Sequence, residues 1–528
     1  MSRRGTIQFA APPPSSAPFP GGVRELHGPQ QQHDRLFRRR PTSLRSTYLP
    51  VVALAASLMV AAATGVQAQT PMGGAAGNQW TTNQWTTDQW TTNQGTTAFV
   101  DVTVIPMDSE RTLPGQTVLV RDGIIQSVGP SESIRIPGNA VTIDGSGRYL
   151  LPGLAEMHAH VPPGEAPPRE LVEETLFLYL AGGITTIRGM LGAPYQLTLR
   201  EEIRRGDVLG PHFYVGAPSL NGNTAPTPAD AERLVRAHAE AGYDLLKIHP
   251  GVPLDSWNRM VEVAREVGIS FGGHVPADVG IYHAMETGMS TVDHLDGFLQ
   301  VTRRDGVDTD DLAELYRATD PMKLEELIRR IAETDTWLVP TQYLWDNLNG
   351  IVDPDTMLAL PEFRYISPEQ REAYRNSAIS RAENPAITQA STEAHRIMRH
   401  EFLSAAHRGG APILMGTDSP QLFNVPGFAL HRELPMMVDA GMTPFEVYLT
   451  GTRNVARYVE EDLGQAGNFG VVAPGYRADL ILLARNPLQS VEALRELEGV
   501  MVDGRWLPGR EIRERLAEIA AKYAAQER

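Results

Sequence analysis

Cysteine is absent from all 528 residues. That excludes disulfides, thiolate metal ligands and a lipoprotein-type anchor, which needs a cysteine, so any metal must be held by nitrogen and oxygen. Positive charge is also short: 47 basic side chains face 63 acidic ones, net −16 at pH 7, which argues against nucleic acid as a partner. Nor does the apolar run at residues 49–63 reach the about 20 residues that a membrane span needs. It follows Arg38-Arg-Arg40 and precedes Val66-Gln-Ala68, an order of basic, apolar and small residues that reads as an export signal cut after about Ala68. The expected location is periplasmic or secreted, with no stable membrane span once the signal is removed. Cleavage takes away more arginines than acids and moves the net charge to about −22.

What is present suffices for a large core. A composition of 42% hydrophobic and 21% charged residues is that of a soluble globular protein, and the length implies two domains or a barrel with an accessory piece. Before the fold comes a spacer, residues 69–97. Most of it is a five-residue repeat, Asn78-Gln-Trp-Thr-Thr82 and its three successors, too polar to bury a core. Its tryptophans leave open a wall- or sugar-binding role.

Short alternating strands with turns fill residues 98–150 and return over 456–511, at 478–483 and 500–506, so both ends of the mature chain are expected to build one small β-sandwich. Residues 512–528 read as a C-terminal helix. Between them, over 151–455, apolar strands alternate with helical stretches such as 168–181, 229–241, 254–267 and 281–287. Eight such strands can be counted, with strand 7 at 337–341 and strand 8 at 413–418. The expected fold class is therefore α/β, a (β/α)8 TIM barrel carrying the sandwich.

The middle region begins at Leu151-Pro-Gly-Leu-Ala-Glu-Met-His-Ala-His160, an apolar strand ending in two histidines one residue apart. On a strand, residues i and i+2 share a face, so His158 and His160 can meet one metal ion. Such a pair is weak alone. It is joined by Lys247 and His249 in Leu245-Leu-Lys-Ile-His249, by His274 after Phe271-Gly-Gly, by His294 in Val292-Asp-His294, and by Asp418 closing Ile413-Leu-Met-Gly-Thr-Asp418. Each apolar run delivers its polar residue to the carboxyl edge of a barrel.

In that order these motifs, with Thr185-Thr-Ile-Arg188, Leu430-His-Arg-Glu-Leu434, Ala440-Gly-Met-Thr-Pro444 and Gly475-Tyr-Arg-Ala-Asp-Leu480, resemble the amidohydrolase superfamily over residues 98–511. The resemblance is to its imidazolonepropionase-like branch, which includes Xaa-Pro dipeptidases and ochratoxin-hydrolysing amidases. It implies two divalent metal ions: His158, His160 and Asp418 on the first, His274 and His294 on the second, and Lys247, carboxylated by carbon dioxide, bridging both with a hydroxide. Zinc fits imidazole and carboxylate ligands. Asp418 is then ligand and proton carrier at once. Implied activity is hydrolysis of the amide of a dipeptide, Xaa-Pro-like, or of an N-acyl amino acid. Relatives often form larger homo-oligomers.

Substrate contacts are expected from His249, where relatives often carry tyrosine, and from Tyr343, Trp345 and Arg188. Gly189 stands where relatives commonly have an aspartate supporting that arginine. His431 and Glu433 read as structural, and residues 297–342 and 367–408 as a roof over the site. Two other readings stand beside the dipeptidase: a cyclic amide or imidazolone hydrolase, and a non-catalytic wall- or sugar-binding protein. All six implied ligands are present, which argues against the last.

Overall fold

The computed structural model describes residues 95–527; the expected leader and all but the last three spacer residues lie outside them. β1 (Thr96–Val104) begins inside the expected spacer, with Thr96 and Thr97 already buried. It is followed by β2 (Leu113–Arg121), β3 (Ile124–Pro130), β4 (Val141–Asp144) and β5 (Tyr149–Pro152), while β13 (Leu480–Leu483), β14 (Leu497–Val502) and β15 (Arg505–Pro508) come from the other end. All eight join one sheet in the order β15-β14-β13-β5-β1-β2-β3, with β4 on β1. The run expected as one strand at 500–506 is instead a hairpin, because Asp503-Gly504 takes positive φ between β14 and β15.

The sheet is folded over. β1 and β15 stand four strands apart, about 19 Å in a flat sheet, yet the rings of Phe99 and Trp506 meet edge to face at 5.1 Å. Between the layers lie Phe99, Val104, Val118, Leu150, Leu480, Leu482 and Met501.

The middle of the chain forms parallel strands. One sheet holds β6 (Leu154–Ala159), β7 (Ile184–Gly189) and β8 (His212–Val215); another holds β9 (Leu245–Ile248), β10 (Ser270–Gly273), β11 (Thr291–Asp293) and β12 (Trp337–Val339). Parallel bridges join them: Gly216 to Leu245, Leu338 to Ile413, and Ala159 to Ser419. The segment 413–419, with strand 8 expected over 413–418, makes only bridges, yet Leu414 N–H donates to Leu338 and Asp418 N–H to His158. The pairings thus run in one cyclic order from β6 back to β6.

Helices between the strands form for local reasons. Helix Pro228–Ala241 starts where the Thr227 side chain accepts from Asp230 N–H and proline occupies the first turn, where its missing donor costs nothing. Helix Leu254–Val267 buries Trp257, Met260, Val261 and Ala264, one stripe at helical spacing. The stretch expected at 367–408 is two helices, Pro368–Ala382 and Gln389–Arg408, broken around Pro385. Ala155, Met157, Trp337, Val339 and Leu414 pack against Val455, Tyr458 and Val459 of helix Arg453–Glu461. Helix Gly509–Gln526 closes the described chain, held by Lys522 and Tyr523, which both bond buried Glu174.

Candidate metal centre

The strand ends bring together the residues picked out from the sequence. His158 lies within β6 and His160 just beyond it, Lys247 within β9, His274 and His294 one residue past β10 and β11, and Asp418 on the 413–419 segment. His160 Nε2 is 2.6 Å from Asp418 Oδ1, and His158 Nε2 is 3.7 Å from the same oxygen. His294 Nε2 is 3.8 Å from Asp418 Oδ2, and Lys247 Nζ is 3.3 Å from His158 Nε2. Imidazole centroids follow one another at 5.4 Å (His158 to His160), 4.5 Å (His158 to His294) and 4.6 Å (His294 to His274). His249 stacks on His274 at 5.2 Å.

The backbone bends to make this possible. His294 (φ 65°), Asp418 (φ 62°) and Thr341 (φ 50°) all take left-handed conformations just past their strands. Non-glycine residues rarely do so, at a cost of about 1–3 kcal/mol each, and such strain gathers at functional sites. At His294 it also breaks strand alternation, so that consecutive side chains, Asp293 and His294, both reach the cluster. Gly273 (φ 123°) is required too: a Cβ there would stand 3.2 Å from Lys247 Nζ and 2.7 Å from Ile248 O.

Three of the rings have a polar neighbour behind them. His274 Nδ1 is 2.8 Å from Asp296, and His294 Nδ1 is 2.8 Å from Thr341 Oγ1. Asp293 Oδ2 stands 2.7 Å from His158 Nδ1, at an angle poor for a hydrogen bond. A partner on Nδ1 turns Nε2 toward the shared space, the usual support of metal-binding histidines. Glu156 ties the first and last strands together: its carboxylate accepts from His158 N–H, Thr417 N–H and Thr417 Oγ1.

Burial dominates the electrostatics. It holds the His158 and His294 imidazoles well below their ordinary value, with Lys247 adding to the effect, and it lowers His249 likewise. Burial also brings the Lys247 ammonium down to about 8 and pushes the Glu156 carboxyl up to about 8. For Asp293 burial acts upward, but the charges of Arg188 and Lys247 prevail and lower it.

Two expected substrate contacts are corrected. Arg188 is fully buried beneath the cluster, its guanidinium spent on Met157 O, Thr291 Oγ1, Tyr458 OH and Asp293, so no substrate touches it. Its support is Asp293 rather than the residue after it, where a Cβ on Gly189 would collide with Phe213 at 2.6 Å. Tyr343 is engaged elsewhere as well: its phenol, raised to about 12 by burial, interacts with Asn347, Arg432 and Glu362. Trp345 is the residue of helix Gln342–Asn349 that meets the cluster, 5.8 Å from His294. Glu433 is structural, its carboxylate accepting from Gln342 N–H and Tyr343 N–H at the start of that helix. His431 packs on Phe428.

Sequence reasoning missed Asp293, Asp296, Thr341 and Glu156 as supports. Only Glu156 carried a signal, being two residues before His158 on the same strand face.

The donor set fits a metal. His158, His294 and Asp418 offer ligand atoms within 4.8 Å of one another, and His294 Nε2 is buried without any partner, a cost that a cation would remove. That tightest group crosses the two halves implied by the resemblance, taking one histidine from each. Only three of the 47 basic residues are lysines, and Lys247 alone is buried in the cluster; Lys323 and Lys522 are spent on surface ion pairs.

Comparison with known proteins agrees with this picture. The amidohydrolase family model matches residues 149–507. The enamidase of Eubacterium barkeri is 30% identical over 139 residues, 26% of this chain and 30% of its own. The chain thus spans about a third of that relative's length. The imidazolonepropionase of Salmonella agona is 22% identical over 75% of this chain and 94% of its own. A solved Xaa-Pro dipeptidase with bound methionine in the active site superposes with a TM-score of 0.56 at 18% identity, covering 78% of this chain and 100% of its own. With the family model covering more than half of its length, this chain belongs to the amidohydrolase family, whose members are hydrolases acting on carbon–nitrogen bonds.

Proposed function

We propose that the protein is an exported, metal-dependent amidohydrolase built on a (β/α)8 barrel, cleaving the amide of Xaa-Pro-like dipeptides or N-acyl amino acids. One observation carries the reading: four imidazoles, Lys247 and Asp418 converge at strand ends, with His274 and His294 held by partners on Nδ1 and the Asp293 carboxylate beside Nδ1 of His158. The cyclic strand pairing supports the barrel, and the fold shared with an Xaa-Pro dipeptidase supports the substrate class.

His158, His160 and Asp418 would hold one divalent ion, zinc by ligand type, and His274 and His294 a second, with carboxylated Lys247 between them. Such ions acidify water and polarise a carbonyl. Asp418 does the proton work: it takes the proton of the water whose oxygen joins the acyl carbon, and gives it to the nitrogen as the carbon–nitrogen bond breaks. Its left-handed backbone aims the carboxylate at the cluster and away from its own strand. Asp293, Asp296 and Thr341 keep the rings turned inward, and Glu156 fixes the spacing of the first and last strands. Trp345 and the roof helices limit access of bulk water.

The experiment is hydrolysis of a panel of dipeptides, N-acyl amino acids and cyclic amides by metal-replete protein. Release of free amino acid from the linear amides supports the reading. Turnover of cyclic amides alone would replace it with the imidazolone-type alternative, which the coverage of imidazolonepropionase favours. No turnover of any substrate would remove it.

A further inference from the structure

Trp345 carries a donor that nothing in the fold uses. Its ring stands 5.8 Å from the His294 ring, tilted by 55°, and Nε1 is buried with no hydrogen-bond partner. A buried donor left unpaired costs about 1–3 kcal/mol, so its persistence beside the cluster asks for a reason. The ring is also held firmly. Glu433 fixes the first turn of its helix, and Gln342, in that same turn, bonds Arg399 through both ends of its amide.

Arg399 supplies the second observation. It is buried, its guanidinium lies 5.6 Å from the centre of the Trp345 ring, and its donors go to His294 O, Pro340 O and Gln342 Oε1. All three acceptors are neutral. Among the described residues no carboxylate lies within ion-pair distance of it, and Asp346, Glu433 and Asp296 act on its charge only from further off. A buried charge in that state favours an anion on the accessible side.

We propose that Trp345 is a specificity-determining residue whose Nε1–H donates to the free carboxylate of the substrate's leaving amino acid, with Arg399 supplying the favourable field from beneath. The proposal rests on the hydrolase reading and sharpens it: the substrate must carry an anion on the amine side of the scissile bond. Arg399 acts through the ring, its own donors being spent, and Trp345 alone touches the ligand. An amide in place of the carboxylate removes the charge and turns one acceptor into a donor, so the subsite rejects it.

The test is direct binding by calorimetric titration of an N-acetyl amino acid and of its C-terminal amide to the metal-replete protein, for wild type and Trp345→Phe. Phenylalanine keeps a ring but loses the N–H. Wild type is expected to bind the acid at least about tenfold more tightly than the amide, and the variant to lose most of that preference while its affinity for the amide stays. Equal affinity of wild type for acid and amide overturns the proposal, whatever the variant does. So does a variant with wild-type melting temperature that keeps the full preference. Should the variant not fold, the acid-to-amide ratio of wild type decides alone. Hydrolysis is read separately: a protein that binds the acid selectively but cleaves nothing contradicts the proposed reaction and leaves the subsite standing.

Discussion

Arg188 approaches both carboxylate oxygens of Asp293 at 3.3 Å in a pair sealed from solvent, and the same carboxylate stands 2.7 Å from Nδ1 of His158. The arginine therefore acts on the cluster two steps away. It fixes the aspartate that fixes the imidazole.

Asp293→Asn removes the charge behind His158 and leaves Arg188 buried without its counter-ion. Metal affinity is expected to fall about 10- to 100-fold, the usual effect of losing such a support. Competition with a chelator, followed by metal content per chain, measures it; unchanged affinity would mean that the ring is oriented by packing alone.

Lys247→Arg keeps the charge and most of the length but cannot form a carbamate, because a guanidinium stays protonated. Wild-type protein purified without chelators is expected to hold about two ions per chain and the variant fewer, with activity lost. Equal metal content in both proteins would exclude the lysine as a shared ligand.

Gly273→Ala places a methyl 2.7 Å from Ile248 O and 3.1 Å from Lys247 Cδ at a φ of 123°. The strain alone is expected to cost about 1–3 kcal/mol, and displaced Lys247 should cost metal as well. Gly138→Ala is the control, since nothing lies within 4 Å of its Cβ and φ is not positive there. Denaturant unfolding and metal analysis on the pair separate a local effect from a general one.

His431 gives a pH prediction away from the cluster. Burial first, then Arg495 and Arg432, bring its imidazole down to about 3 from the ordinary 6.5. A depressed value means that the unfolded chain takes up a proton the folded one refuses, so the contribution is complete above 6.5 and drains away as pH falls toward 3. Between pH 7 and 4 this one residue is expected to remove about 3 kcal/mol of stability. His431→Gln should show a shallower loss over that interval in denaturant titrations at the two pH values. An identical slope would assign the acid sensitivity to other groups.

The chemistry-bearing residues were legible because they sit at the ends of apolar strands, a one-dimensional signal. His158, His160, Lys247, His274, His294 and Asp418 all arrive at the cluster. Their supports were mostly not legible, because their meaning comes from long-range pairing: Arg188 meets Asp293 across 105 residues, and Glu156, though placed on the face of His158, meets Thr417 across 261. Asp293 was further hidden by strand alternation, which places neighbours on opposite faces until the left-handed turn at His294 is known. Tyr343 and Trp345 were indistinguishable without the rotation of their helix, which the carboxylate of Glu433 sets from the far side of the sequence.

Finally, β5 pairs with β1 on one side and with β13 on the other, Leu151 against Ile481. The second partner is about 330 residues downstream, so the sheet that β1 to β5 begin cannot be finished until nearly the whole chain has been synthesised. During that interval β5 presents an unpaired apolar edge, an invitation to aggregation that a nascent chain must survive through chaperone cover or delayed collapse. Loss of the C-terminal β13, β14 and β15 to truncation or proteolysis would reopen that edge.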